Sequence, residues 1–483
     1  MGGYSVPEHI RACKPKGTMV KAIAGNYYVY EYRSVKDGGG KRRTKMGKCI
    51  GSIKEGIGFV ANGRRSSQGE VTTLEFGDWA VAMRNSLDVL GLLKECFDAL
   101  DATRIYLVAL THLTQGLTRM RDVGKLYEMS CMSLAFPGLK MGPDAVGSLY
   151  DVLGRRQGGV MAFEALLASR CSRVTAIDGH VVGSASACND LAEKGYRSAM
   201  LHEGQVNVLM AYDVNDGTPL LSRAFEGGNL DKLSVKDVLA REELHDMLFI
   251  LDSGFYSEEN VRTLSSRNNS YVIPLHRRLK GCMDAVALAH VDGRFVYQRD
   301  RKASAVEYWA SRDEPGRRII AYRDLNMAAL EQSNYLRYIE QGRKSYTEER
   351  FEKMKDLMGV IVLQTNLSEP ADEVFKLYKR RWSIETFFNY LKNDIGYHSL
   401  YLKDYYKTQG LAFVMLVSAL IHKRLKDATA QVKGKTMREC LLDARMIKLN
   451  KRDGAWSCAN CKGAHQRLFE ALNTPLSVEA LHT

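Results

Sequence analysis

The sequence predicts an α/β fold in which strands and helices alternate through the middle of the chain. Three observations support this: one apolar run ends at Asp178, a second ends at Asp252, and a helix with one apolar face carries Glu385. An apolar run that ends in an acidic residue, with glycine close behind, is typical of a buried strand that places a carboxylate at a sheet edge. We therefore expect a mixed sheet flanked by helices.

The segment 378–392 predicts a single helix with two different faces. At about 100° per residue, Tyr378, Arg381, Glu385 and Lys392 project into one sector roughly 60° wide. A separate apolar stripe would bury the helix against a core; it consists of Leu377, Ile384, Phe387, Phe388 and Leu391. A solvated amphipathic helix with internal ion pairs shows the same pattern. The helix alone therefore does not decide the function.

Asp178, Asp252 and Glu385 together form a set of three carboxylates that could hold a pair of divalent cations. Oxygen ligands suit Mg²⁺. Two ions a few ångströms apart can activate an attacking oxygen and stabilise a leaving oxygen at a phosphodiester. The set predicts phosphoryl transfer on nucleic acid.

The spacing of Tyr378, Arg381, Glu385 and Lys392 resembles the Y-(2)-R-(3)-E-(6)-K signature of the DDE insertion-sequence transposases of the IS-four group. The segments around Asp178 and Asp252 resemble the first and second acidic positions of that family. The segments 207–220 and 359–366 also resemble its strands, so the likeness covers roughly residues 170 to 425.

This resemblance implies an RNase H-like catalytic core, interrupted by a β-rich insertion, in which Asp178, Asp252 and Glu385 coordinate two Mg²⁺ ions or Mn²⁺ in their place. It implies that Tyr378, Arg381 and Lys392 contact the phosphates of the DNA. In relatives with the insertion, an aromatic residue stabilises a flipped base. Trp309 is our candidate for that role, with ordinary core packing as the alternative.

The same resemblance implies a cut-and-paste reaction on double-stranded DNA, at the terminal inverted repeats of a mobile element and at a target site. A homodimer in a synaptic complex is the expected assembly. Two alternatives remain open. One is an RNase H-like nuclease without strand transfer, because a fold and an acidic set do not fix the reaction. The other is a non-catalytic DNA-binding protein derived from a transposase.

Composition is consistent with a nucleic-acid partner. The 483 residues carry a formal net charge of +13, which favours a polyanion because Lys and Arg release the counterions condensed on DNA. We expect a cytoplasmic protein, since the N-terminus lacks the features of a secretory signal. The longest apolar run, 411–421, is shorter than the ~20 residues that span a bilayer. It therefore predicts a core helix and argues against a membrane protein.

Ten cysteines without a regular framework indicate a reducing compartment. Cys458, Cys461 and His465 have a spacing that could supply three zinc ligands, but a fourth ligand at ordinary spacing is missing. The sequence therefore leaves a zinc site open.

Five segments are predicted along the chain. Residues 1–75 form a β-rich segment that includes a basic hairpin with possible DNA contact, and 76–168 form a helical region that could read transposon ends. Residues 169–275 form the first part of the catalytic core, and 276–356 form the β-rich insertion. Residues 357–483 complete the core and add C-terminal helices.

Overall fold

The computed structural model describes residues 6–36, 41–61, 72–186, 189–194, 204–227, 236, 238–239, 244–276, 290–299, 302–314, 316–393 and 395–481. The chain forms two compact units. One unit comprises Met1–Thr73 and Asn450–Ser457, and the other comprises Leu74–Leu449 and Cys458–Thr483.

The first unit contains the helix Glu8–Ala12 and a four-stranded antiparallel sheet. Its strands pair in chain order and are β1 (Thr18–Ile23), β2 (Asn26–Lys36), β3 (Arg42–Lys54) and β4 (Gly58–Ala61). A small core of Ile10, Val29 and Ile53 holds the helix against the sheet. The pairing of β2 with β3 confirms the predicted basic hairpin, whose Gly-rich turn lies outside the described residues.

The second unit begins with a run of helices that form because apolar side chains recur at helical spacing. They are Gly77–Arg84, Leu87–Cys96, Ala99–Gln115, Met120–Met129, Met132–Ala135, Pro143–Arg155 and Gln157–Arg170. The carboxylate of Asp98 caps the longest of them by accepting hydrogen bonds from the amides of Leu100 and Asp101. Glu164, which is almost fully buried, forms a bidentate ion pair with Arg223 and so ties the last helix to the main sheet.

The helix Tyr405–Thr429 runs through the interior of the second unit, as the apolar run 411–421 predicted. Its contact with the helix Pro143–Arg155 is close. A methyl group on Gly154 would lie within 1.9 Å of the Tyr406 carbonyl oxygen, and one on Gly410 within 2.1 Å of the Tyr150 carbonyl oxygen. Among the described helices, none combines the length and the apolar composition needed to cross a membrane.

Among the described residues, the main sheet of the second unit contains eleven strands, a first group of six before residue 290 in the chain and a second group of five after it. The first group is β6 (Val174–Ser184), β7 (Glu193–Lys194), β8 (Gly204–Asp213), β9 (Pro219–Glu226), β10 (Leu248–Ile250) and β11 (Ser270–Pro274). The second group is β12 (Gly293–Arg299), β13 (Lys302–Glu314), β14 (Arg317–Asp324), β15 (Val360–Thr365) and β16 (Ser399–Leu400). The order is β12-β13-β14-β15-β11-β10-β6-β8-β7, with β9 on β8 and β16 on β6.

Strand β6 is the central element of this sheet. It pairs along its whole length with β8 in the antiparallel sense, and it pairs in parallel with β10 and with β16. Strand β10 also pairs in parallel with β11. The helix Glu258–Ser266, capped by the hydroxyl of Ser257, makes the crossover between β10 and β11 that a parallel connection requires.

Strands β12, β13 and β14 form an antiparallel meander that joins the sheet where β14 pairs with β15. Two helices, Leu325–Glu340 and Glu348–Met354, and a single turn, Lys355–Leu357, connect β14 to β15. The carboxylate of Asp324 caps the first of these helices. The segment between β14 and β15 is thus helical, which the expectation of a β-rich insertion did not include.

The chain ends with the helices Met437–Arg445 and Gly463–Ala471 and the turn Val478–Leu481. A further three-stranded sheet has the order β18 (Ala455–Ala459), β17 (Lys448–Arg452) and β5 (Thr72–Glu75). Together these elements give a mixed α/β architecture, as the sequence predicted.

A buried histidine makes the second unit sensitive to acid. Burial lowers the pKa of His112 to about 4, against the opposing effect of the nearby Gly116 carbonyl. The His112 Nδ1 accepts a hydrogen bond from the Thr118 amide, and its Nε2 lies 3.1 Å from the Tyr150 hydroxyl. Both nitrogens of the neutral ring therefore have partners, and protonation of Nδ1 would break the hydrogen bond from the Thr118 amide.

Lowering the pH from about 6.5 towards 4 should therefore destabilise the fold, because the unfolded chain binds a proton that the native His112 excludes. A depressed histidine pKa gives stability that is complete above the unfolded value and is lost as the pH falls. We expect a loss of roughly 3 kcal/mol in the free energy of unfolding, measured by urea titration at several pH values. His112→Gln should flatten this pH dependence, whereas His398→Gln at an exposed position should not. Equal slopes in the two variants would contradict the assignment.

Candidate functional site

The register of the sheet brings Asp178 and Asp252 to the same level on neighbouring strands. Strands β6 and β10 are parallel, and Ala176 pairs with Ile250. Each Asp lies two residues beyond that pair, so both side chains leave the sheet on the same face. Neighbouring strands are about 4.8 Å apart, so the two carboxylates occupy adjoining positions, which we call the acidic edge. Asp252 follows the end of β10, whereas β6 continues to Ser184, so the expectation that the first strand ends at Asp178 is wrong.

Local hydrogen bonds fix one oxygen of each carboxylate. Asp178 Oδ1 accepts a hydrogen bond from the Gly179 amide at 2.8 Å, and Asp252 Oδ1 accepts one from the Ser253 amide at 2.7 Å. Asp252 thereby caps the turn Ser253–Phe255, which follows the strand directly. The second oxygen, Oδ2, of each carboxylate has a different partner.

That partner is one guanidinium group. Arg381 Nη1 lies 3.4 Å from Asp178 Oδ2 and 3.9 Å from Asp252 Oδ2. The Arg381 side chain is only 14% exposed, so water screens it weakly. Arg381 therefore offsets the repulsion between two carboxylates that the sheet places side by side.

The helix predicted over 378–392 is two helices, which corrects the single-helix prediction. One helix is Ala371–Arg380 and the other is Trp382–Asn393, with Arg381 at the boundary. The Arg381 amide donates to the Tyr378 carbonyl, and the Ile384 amide donates to the Arg381 carbonyl. Both are hydrogen bonds over three residues instead of four, so a wheel at 100° per residue does not continue across the boundary.

Packing on both sides of this boundary holds Arg381 in place. The first helix packs through Val374 and Phe375 on the sheet, and the Tyr322 hydroxyl donates to the Ala371 carbonyl at its start. The second helix buries Ile384 completely. This part of the predicted apolar stripe is buried, whereas the side chains of Phe387 and Leu391 lie outside the described residues.

Glu385 belongs to the second helix, four residues after Arg381. Four residues make one helical turn, which is a rise of about 6 Å. Its backbone therefore follows Arg381 by one turn, in a helix whose Phe388 ring stacks on His180 of β6. The side chain of Glu385 lies outside the described part of the structure, as do those of Thr386 and Asn389.

His180 connects the Asp178 strand to the Glu385 helix. Its ring is buried, stacks on Phe388 with centroids 5.6 Å apart, and places Nε2 2.9 Å from the Tyr397 carbonyl oxygen. Tyr397 leads into β16, which pairs with β6 beyond Asp178. His180 thus has a structural role, since it packs the strand that carries Asp178 against the helix that carries Glu385.

Tyr378 and Lys392 occupy different surroundings. Tyr378 is half-buried and lines the same cavity as Asp252. Lys392 is exposed in the last turn of the second helix and makes no ion pair in the described structure. The structure therefore brings Tyr378 to the acidic edge, while it leaves Lys392 at the surface.

Trp309 lies on β13 opposite Ala321 of β14. It is half-buried and packs against a small cluster that includes Leu275 and Val360. Ordinary packing therefore accounts for a large part of this side chain. Its assignment as a base-contacting residue remains a prediction.

Trp382 is an aromatic residue near the site that the sequence reasoning did not select. It is 51% exposed, and the guanidinium of Arg299 lies 3.4 Å from the centroid of its ring. Its position directly after Arg381 was a usable signal. The apolar periodicity of the helix identifies only the buried stripe, to which Trp382 does not belong.

Within the part of the chain that the structure describes, no group of three His, Cys, Asp or Glu side chains converges on a metal position. Cys458, Cys461 and His465 do not form such a group. Burial raises the pKa of the Cys458 thiol to about 12, and His465 Nδ1 accepts a hydrogen bond from the Lys462 amide. These side chains are thus engaged in local contacts.

Residues 169–421 match the family described as the Transposase DDE domain, which is more than half of the chain. The chain belongs to this DDE transposase family. No curated protein matches it. The matched range begins before β6 and ends inside the helix Tyr405–Thr429, so it contains Asp178, Asp252 and Glu385. The sequence-based prediction of a DDE transposase is confirmed at the level of the family.

His180→Ala should slow DNA cleavage by this DDE-family protein about 10- to 100-fold, the range expected when a reactive group moves by about 1 Å. The reason is that the Asp178 strand and the Glu385 helix lose their shared packing. DNA binding should be unchanged. The cleavage rate is measured under single-turnover conditions, and DNA affinity is measured by a fluorescence anisotropy titration.

His398→Ala is the matched control, because His398 lies in the same segment as Tyr397 but is exposed. It should leave the rate unchanged. Equal rates for His180→Ala and wild type would show that this packing does not position the acidic residues.

Proposed function

We propose that this DDE-family protein is an insertion-sequence transposase of the IS-four group that cleaves transposon ends and joins them to target DNA by a cut-and-paste route. The observation that carries the proposal is the position of Arg381, whose guanidinium lies between Asp178 and Asp252. Arg381, the arginine of the proposed signature, lies close to both Asp178 and Asp252. Glu385 follows it by one helical turn.

The strand order supports an RNase H-like core. Strands β6, β8 and β9 pair in that order in the antiparallel sense. On the other side of β6, strand β10 pairs with β6 in parallel, and β11 pairs with β10 in parallel. Asp178 lies on β6, and Asp252 follows the adjacent parallel strand β10. Ligands commonly bind beyond the carboxyl ends of parallel strands. We propose this arrangement as the catalytic core.

The donor set fits divalent cations. Asp178 Oδ2 and Asp252 Oδ2 both lie within 4 Å of one nitrogen atom, so two anionic oxygens already converge on one positive group. We propose that Asp178, Asp252 and Glu385 hold two Mg²⁺ ions, or Mn²⁺ ions. When bound, such ions polarise the scissile phosphate and stabilise the charge on the attacking and leaving oxygens.

The remaining side chains would position the DNA. Arg381 can form charge-assisted hydrogen bonds to a phosphate next to the scissile bond, and the Tyr378 hydroxyl can donate one more. Lys392, exposed one to two turns beyond Glu385, would contact a more distant phosphate. Trp309 is half-buried, and we propose that the exposed part of its ring contacts a base.

The basic hairpin β2–β3 is proposed as a DNA contact of the first unit. Arg33 lies directly opposite Lys45, and Lys36 lies opposite Arg42. All four side chains are exposed. Like charges in directly opposed positions repel each other, and a polyanion would relieve that repulsion. A two-stranded ribbon also has the dimensions of the DNA major groove.

We further propose a cytoplasmic location, double-stranded DNA as partner at both terminal repeats and target, and a homodimer in a synaptic complex. Each of these rests on the family and on the resemblance of Tyr378, Arg381, Glu385 and Lys392 to the family signature.

Asp178→Asn, Asp252→Asn and Glu385→Gln should each abolish metal-dependent cleavage and joining while leaving DNA binding intact. Each change removes an anionic oxygen at nearly constant volume. The measurement is gel analysis of cleaved, hairpin and joined products from DNA carrying both element ends, with Mg²⁺ or Mn²⁺.

Asp216→Asn is a suitable control because Asp216 is exposed in a turn, where it accepts a hydrogen bond from the Thr218 amide. It should retain full activity. Cleavage without hairpins or joined products in the wild type would favour a nuclease. Binding without any cleavage would favour a non-catalytic derivative.

The double variant Arg33→Ala with Lys45→Ala should bind DNA more weakly, and its DNA affinity should depend less on salt. If both contact phosphates, the slope of log K against log salt should fall by about 1.8 in magnitude, since each contact contributes about 0.9. Fluorescence anisotropy over a series of salt concentrations measures this slope. Lys21→Ala with Lys54→Ala removes the same charge from exposed positions elsewhere on the same sheet. An equal change in the two double variants would show only a net-charge effect.

A further inference from the structure

Strands β2 and β3 extend beyond the rest of their sheet. Strand β1 pairs with β2 only over Asn26–Glu31, and β4 pairs with β3 only over Gly51–Lys54. The cross-strand pairs between residues 32–36 and 42–46 therefore have no third strand beside them among the described residues. All of their side chains are exposed. We call this two-stranded extension, residues 32–36 and 42–46, the basic arm.

The basic arm lacks the contacts that usually stabilise a hairpin. An isolated pair of strands is at best marginally stable in water. Tyr32, Val35 and Met46 are 44%, 47% and 45% exposed, so apolar surface of the arm faces water. The directly opposed pair Arg33 and Lys45 adds repulsion between like charges. An anionic partner that also covers apolar surface would relieve both costs.

The alternation of the strands divides the basic arm into two faces. Residues directly opposite each other in an antiparallel pair project on the same side, and successive residues project on opposite sides. The face that we call the hydroxyl face is centred on the opposed pair Ser34 and Thr44. Its members are Tyr32, Ser34, Lys36, Arg42, Thr44 and Met46. The other face, which we call the cationic face, consists of Arg33, Val35, Arg43 and Lys45.

We infer that the basic arm lies in the major groove of DNA with its hydroxyl face towards the base edges, so that Ser34 and Thr44 determine which sequence is bound. The inference rests on the proposed function for DNA as the partner of this hairpin. It does not depend on cleavage or on the acidic edge.

The dimensions of the basic arm support this placement. Five residues of a strand extend about 17 Å, which corresponds to about five base pairs at 3.4 Å each. The major groove is about 12 Å wide and admits two strands that lie about 4.8 Å apart. The minor groove, at about 6 Å, is too narrow for two strands with their side chains.

The chemistry of the hydroxyl face matches the major groove. The hydroxyls of serine and threonine can each donate or accept a hydrogen bond at a base edge. Lys36 and Arg42, at one end of this face, can donate to guanine O6 and N7. Tyr32 and Met46, at the other end, offer apolar contact to thymine methyl groups. This face therefore carries groups that distinguish one base pair from another.

The cationic face suits a different task. Arg33 and Lys45 have long side chains whose charged ends can reach the phosphates at the rims of the groove. Phosphate contacts position a protein on DNA and increase its affinity, but they carry no sequence information directly. The two faces therefore divide affinity from sequence recognition, and a binding experiment can separate these two contributions.

The test measures the sequence selectivity of the full chain in EDTA, where no metal-dependent cleavage occurs. Wild-type protein first selects preferred sequences from a library of DNA duplexes with a randomised segment. The selectivity is then the dissociation constant for a scrambled duplex divided by that for the selected duplex. Both constants are measured by fluorescence anisotropy at one salt concentration. Because the library supplies the sequences, the result does not depend on whether the protein is a transposase.

Ser34→Ala with Thr44→Val should lower the selectivity about tenfold, as expected for the loss of contacts to one base pair. Affinity for the scrambled duplex should be unchanged. Valine keeps the β-branched shape of threonine, so the strand is preserved. Arg33→Ala with Lys45→Ala should weaken binding to both duplexes equally and leave the selectivity unchanged, because it removes phosphate contacts.

Ser52→Ala with Thr72→Val is the matched control, because it removes the same two hydroxyls from strand positions outside the basic arm. It should leave the selectivity unchanged. A dimethyl sulfate footprint identifies the groove, since this reagent methylates guanine N7 in the major groove and adenine N3 in the minor groove. Wild-type protein should protect guanine N7 in the selected duplex.

An undiminished selectivity in Ser34→Ala with Thr44→Val would overturn the inference. Protection of adenine N3 alone, or a wild-type protein that selects no sequence, would overturn it as well. The transposase reaction is judged separately, by cleavage in the presence of Mg²⁺. Wild-type cleavage with no effect of the hydroxyl changes on selectivity would reject only the role of the basic arm. Loss of selectivity in a protein that cleaves no DNA would reject only the transposase reaction.

Discussion

Two carboxylates at adjoining positions, Asp178 within β6 and Asp252 just beyond β10, impose the constraint that the rest of the second unit has to satisfy. The parallel register of β6 and β10 leaves no freedom in the positions of Asp178 and Asp252, and their mutual repulsion must be balanced by a positive group. Arg381 provides that group at 3.4 and 3.9 Å. A helix boundary at this residue, with its tighter hydrogen bonds, is what places the guanidinium between the two acids.

The supports of Arg381 form a closed path that begins and ends on β6. From β6 the sheet runs through β10, β11 and β15 to β14, where Tyr322 holds the start of the helix Ala371–Arg380. The second helix then returns through His180 and β16 to β6 itself. Displacing any member of this path shifts the acidic residues relative to one another. Stability and the geometry of the acidic edge are therefore determined by the same contacts.

Local patterns in the sequence were enough to predict a strand leading to each of Asp178 and Asp252, since an apolar run followed by an acid needs no distant partner to be recognised. They did not predict that β6 continues past Asp178 to Ser184, where it pairs with β8 and β16. They did not reveal the register that aligns the two, because strand pairing joins residues more than seventy positions apart. The division of the helix at Arg381 was also missed. Its apolar residues keep helical spacing on both sides, and only the three-residue hydrogen bonds reveal the boundary. The burial of Trp309 depends on packing beside β14. The pattern of residues within β13 cannot reveal it, because β14 is a separate strand.

The balance of charge at the acidic edge gives Arg381 two roles under the proposed function. Two carboxylates alone would repel each other and would also repel DNA phosphates. Arg381 lies within 4 Å of Oδ2 of both Asp178 and Asp252, so it offsets that repulsion and holds the two side chains in place. Asp178, Asp252 and Glu385 would hold the cations, which would supply further positive charge at the same carboxylates. The Arg381 guanidinium has several N–H donors, so the same side chain can also donate charge-assisted hydrogen bonds to a DNA phosphate.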